Sequence, residues 1–96
     1  MTTLESRIQT GDRAREILEN PVYVGAYQSI EQDLIETWKN TPSTKENVDA
    51  RERIHLALTL LQKVQASMQQ TLETGKLAAL DLKHKKSLAE RIGTPW

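Results

Sequence analysis

The chain has 96 residues, and its 13 basic and 13 acidic side chains cancel near neutral pH. Leucine, isoleucine and valine supply 22 residues and phenylalanine none, just above the roughly 20% at which disorder becomes the default; without net charge to oppose collapse, one small folded domain is expected. The absence of cysteine excludes a disulfide framework and a thiolate metal site, no apolar run reaches the roughly 18–20 residues of a membrane span, and Thr2, Glu5 and Arg7 interrupt the stretch a secretory signal would need.

Thr2 to Glu5 has the Thr-x-x-Glu spacing of a capping box. Leu4, Ile8, Ala14, Ile17 and Leu18 then recur at helical spacing. The first helix is expected over residues 3–19, weakened at Gly11 by about 1 kcal/mol relative to alanine. Asn20-Pro21 is the next boundary, because asparagine caps helices well and proline suits the first helical position. A second helix follows over residues 21–40. Tyr23, Ala26, Tyr27, Ile30, Leu34, Ile35 and Trp38 trace its apolar stripe.

Asn40-Thr41-Pro42 is the clearest turn, and Ser43 to Glu46 has capping-box spacing. A third helix is expected over 44–75, with Val48, Ile54, Ala57, Leu58, Leu61, Val64, Met68 and Leu72 on one stripe. Leu56 and Leu60 fall off that stripe and widen the apolar face, which implies more than one neighbour. Gly75 either closes this helix or is crossed at modest cost. A helical pattern resumes over 76–91, with Leu77 and Leu80, and Gly93-Thr94-Pro95 ends it. Residues 1–92 thus read as one helical domain and 93–96 as a tail.

The expected fold is all-α: an antiparallel helical hairpin of residues 21–40 against 44–75, with the short N-terminal helix at one end. Two helices bury only one stripe each, so such a hairpin is marginal alone. Small scaffolds usually escape that limit by oligomerising or by binding a partner.

Little in the chain suggests catalysis. His55, one turn after Glu52, could be drawn as a base with its orienter, but a solvated surface histidine fits the surroundings better. Glu31, Asp33 and Glu36 lack a histidine and read as a solvated acidic face. There is no glycine-rich phosphate loop and no His-Glu-x-x-His. No catalytic residue, cofactor or metal is expected, and the chain reads as a non-enzymatic protein.

Charge is unevenly placed. Residues 1–40 carry four basic and seven acidic side chains, and residues 41–96 carry nine and six. Lys83, Lys85, Lys86 and Arg91 concentrate the positive charge near the end. Three readings stay open: contact with nucleic-acid phosphate, placement of cations near a helix C-terminus, and docking of one subunit's acidic half on another's basic half. Trp96 is the last residue shown. Tryptophan is enriched among binding hot spots, so it either anchors a partner or folds back on its own chain. The expected protein interface comprises Leu56, Leu60, Leu77, Leu80 and Trp96.

The run Arg13-Ala14-x-x-Ile17-Leu18-Glu19-Asn20-Pro21, then Trp38-x-x-Thr41-Pro42, then Arg51-Glu52-Arg53-Ile54-x-x-Ala57-Leu58, ending near Gly75-Lys76, resembles small helical proteins of tailed bacteriophages. Those proteins are encoded among head, packaging and structural genes. The resemblance covers residues 11–80 and transfers no site residues. It implies an assembly accessory acting in the host cytoplasm or the virion, partnered by itself and by another phage or host protein. A nucleic-acid-binding packaging accessory and an inhibitor of a host protein are the alternatives.

Overall fold

The computed structural model describes residues 3–92. They form three helices: α1 (Leu4–Glu19), α2 (Pro21–Asn40) and α3 (Val48–Ile92). A single turn of 3-10 helix, Lys45–Asn47, precedes α3. No strand occurs among the described residues, and none of these helices is long and apolar enough to cross a membrane.

Local chemistry sets the boundaries. Thr2 lies outside the described residues; the cap of α1 is Thr3, whose Oγ1 accepts a hydrogen bond from Ser6 N at 3.0 Å. Asn20 is extended, with φ −69° and ψ 122°. Its Oδ1 accepts from Val22 N at 2.9 Å and Tyr23 N at 3.2 Å, satisfying two backbone donors that the start of α2 would leave unpaired.

The turn after α2 is built differently from the expected Ser43–Glu46 box. Thr44 is the residue before the 3-10 turn and makes no side-chain cap. Asn47 closes the loop instead: its Nδ2 donates to Pro42 O at 3.0 Å and to Thr44 Oγ1 at 3.1 Å. The third helix therefore begins at Val48, four residues later than expected. It then runs unbroken through Gly75, so the expected pair of segments 44–75 and 76–91 is one helix of 45 residues.

The chain divides into two compact units. One takes in the chain up to Ile17 and from Met68 onward; the other is Leu18–Ser67. In the first unit α1 meets α3 at a pair of glycines. A Cβ on Gly11 would stand 2.7 Å from Gly75 Cα, and a Cβ on Gly75 would stand 2.8 Å from Gly11 Cα and 3.0 Å from Arg7 O. Only residues without a Cβ allow two backbones this close. Ala14 and Ala78 each follow a glycine by three positions, and together with Leu72 they are the buried apolar residues among those described. Gly11, which weakens an isolated helix, is what lets α1 dock.

In the second unit no residue is fully buried. Tyr23, Val24, Tyr27, Leu34 and Ile35 of α2 are half-buried, as are Ile54, Leu58, Leu61 and Gln65 of α3. Near the start of α2, Tyr23 Oη donates to Gln65 Oε1 at 2.7 Å. Near its end, Arg51 Nη1 donates to Trp38 O at 3.0 Å and to Thr41 O. The same guanidinium carbon stacks 4.1 Å from the Trp38 ring centroid. The contacts therefore run in opposite chain order along the two helices.

Ala78 and Leu82 of α3 are also turned inward, and from Ile54 to Gly75 the inward series runs Ile54, Leu58, Leu61, Gln65, Met68, Leu72 and Gly75. Their steps alternate four and three, the period of a helix whose seam stays against a neighbour. Val48, Ala57 and Val64, expected on the inward stripe, fall off this seam and are exposed, as are Ala26 and Ile30 of α2. Trp38 also remains 43% exposed. Its cover is Arg51, a cation on an aromatic face, in place of apolar packing.

Candidate functional site

The first unit exposes Leu77, at 67%, together with Leu80 and Leu88. The second exposes Leu56, at 57%, together with Leu60, Val64, Ile30 and Val22. Leu56, Leu60 and Val64 follow at steps of four along α3, and Val22, Ala26 and Ile30 do the same along α2. At about 100° per residue each trio makes a slowly winding strip on one side of its helix. Both strips lie off the half-buried seam.

Leu56, Leu60, Leu77 and Leu80, expected at an interface, are thus all solvent-facing. The first two belong to the second unit and the last two to the first. Trp96 lies outside the described residues. Val22, Ile30 and Val64 join the exposed set; Ile30 and Val64 were expected on the inward stripes, and Val22 was on neither.

Lys83, Lys85, Lys86 and Arg91 are exposed. Lys83, Lys86 and Arg91 fall within about 140° of one another around the axis, and Lys85 lies on the other side. Lys85 also approaches Asp81, at 3.6 Å. The four cations do not share one face of α3.

Two open clefts lie in the second unit. One, of about 300 Å³, is lined by Ile35, Trp38, Lys39, Ile54, His55 and Leu58. It is almost wholly apolar, and His55 is exposed at its edge. The other lies beside Tyr23 and Tyr27, whose rings are 6.3 Å apart and tilted by 37°. The Tyr27 phenol is pushed above its ordinary pKa by partial desolvation, then by the carboxylate of Glu31 and by Tyr23. Among the described residues no three histidine, aspartate or glutamate side chains gather as a metal site. The described residues present apolar helix surface on both α2 and α3.

The chain matches no protein-family model, no curated protein and no solved structure.

Proposed function

We propose that this is a non-enzymatic interaction protein that works by helix–helix association, first with copies of itself. In this reading α2 and the first part of α3 form an antiparallel hairpin, a thin element with an inner seam and two outer faces. One observation carries the proposal: among the described residues eleven large apolar side chains are at least 41% exposed, whereas three apolar residues are buried. Scattered exposed leucines are ordinary. Apolar strips that recur at helical spacing on both α2 and α3 are the mark of surfaces that another helix covers.

The resemblance to small tailed-phage proteins supplies a setting, an accessory in particle assembly or packaging that also engages another phage or host protein. The balance of 13 basic and 13 acidic side chains, and the separation of Lys85 from Lys83, Lys86 and Arg91, favour protein contact over nucleic acid. Sedimentation across a concentration series tests the reading. Mass is expected to rise from that of one chain, about 10.9 kDa, to a defined multiple. A single-chain mass at every concentration would refute self-association.

A further inference from the structure

We infer that the two outer strips of the second unit are complementary to each other, so that α2 of one copy packs on α3 of the next, head to tail. This rests on the self-association proposed above and assigns its geometry. Going forward along α2, the exposed residues Val22, Ala26, Ile30 and Asp33 follow at steps of four, four and three. Going backward along α3, the exposed residues Val64, Leu60, Leu56 and Arg53 follow at the same steps. Opposed in antiparallel register, they pair Val22 with Val64, Ala26 with Leu60, Ile30 with Leu56 and Asp33 with Arg53.

The small side chain of Ala26 leaves room for Leu60, and the carboxylate meets the guanidinium at the end of the strip. Glu36 falls within one turn of Arg53. Asp49 falls opposite Thr37, one turn beyond the Asp33–Arg53 pair, so Arg53 lies between it and Asp33. A two-fold pairing of α2 with itself leaves Leu56 and Leu60 uncovered. A two-fold pairing of α3 with itself leaves Val22 and Ile30 uncovered. The head-to-tail contact covers both strips. The smallest closed form is a dimer in which each copy's α2 meets the other's α3; otherwise assembly continues until a larger ring closes or a filament grows.

Complementation tests this geometry. Ile30→Glu disables the α2 strip and Leu60→Glu the α3 strip, both at exposed positions, and far-UV spectra check that each variant stays helical. Each variant alone is expected to have the mass of one chain. Mixed one to one, they join through the remaining intact pair of strips, and the mass doubles and stops there. In a second arm, Asp33→Arg and Arg53→Asp each reduce assembly, and both together in one chain restore it. If the wild-type chain assembles but the mixed variants stay single, or if Asp33→Arg leaves assembly unchanged, the head-to-tail geometry is wrong while self-association stands. If the wild-type chain never assembles, both fail.

Discussion

Replacing Gly75 with valine is expected to release α1 from α3 and lower stability by about 3 kcal/mol or more, at the upper end of what overpacking costs. The cause is backbone against backbone. Even the first added carbon would stand 2.8 Å from Gly11 Cα and 3.0 Å from Arg7 O, and neither can rotate away as a flexible side chain would. Valine adds two methyl groups beyond that carbon. Once freed, α1 is 16 residues long and contains a glycine, a length at which an isolated helix is marginal in water. Its loss removes about one-fifth of the helical residues. A chemical melt followed by far-UV circular dichroism reads both effects. Gly25 is the control: nothing lies within 4 Å of the Cβ it would gain. Gly25→Ala in the same melt is expected to stabilise by about 1 kcal/mol through helix propensity alone. If the two substitutions behave alike, the glycine contact is not what holds α1.

The second large effect falls on assembly. Leu56→Ser combined with Leu60→Ser is expected to lower the mass toward that of one chain while the helical signal persists. Both leucines are more than half exposed, so the single chain loses little packing when they are replaced. At an interface their remaining apolar area would be covered, together worth about 2–3 kcal/mol at roughly 25 cal/mol per Å². That weakens association roughly 30- to 150-fold. Light scattering and circular dichroism on the same samples separate the outcomes. If helicity falls in step with mass, these side chains stabilise the fold itself and the interface reading fails.

Much of the secondary structure was legible in the chain. Asn20-Pro21 marked the start of α2 because the cap and the proline act locally, with chemistry contained in adjacent residues. The start of α3 was harder. Ser43 and Glu46 have the spacing of a cap, but Asn47 reaches back to Pro42 O and Thr44 Oγ1 and delays the helix to Val48. Local spacing does not reveal which of two nearby polar side chains wins. Gly11 and Gly75 were read as weak points because helix propensity concerns one helix at a time. Their role depends on a residue 64 positions away, and the signal available was the matching Gly-x-x-Ala spacing at Gly11 and Gly75. The outer faces were half legible. Leu56 and Leu60 fell off the stripe and are exposed. Ile30 and Val64 looked inward because a step averaging 3.6 drifts away from a seam that alternates three and four. Gln65 lies on that seam, where its side chain accepts the Tyr23 hydroxyl. A hydropathy stripe cannot identify a polar residue of that kind.

The central claim is that another copy covers the outer strip of α3, and thiol labelling tests it at the strip itself. The chain has no cysteine, so Leu60→Cys introduces a single reporter, and Gln70→Cys, at another exposed position of α3, supplies the reference. The account predicts that labelling at position 60 slows as protein concentration rises through the association range, while labelling at position 70 stays constant. Equal labelling rates at both positions, unchanged by concentration, would contradict it.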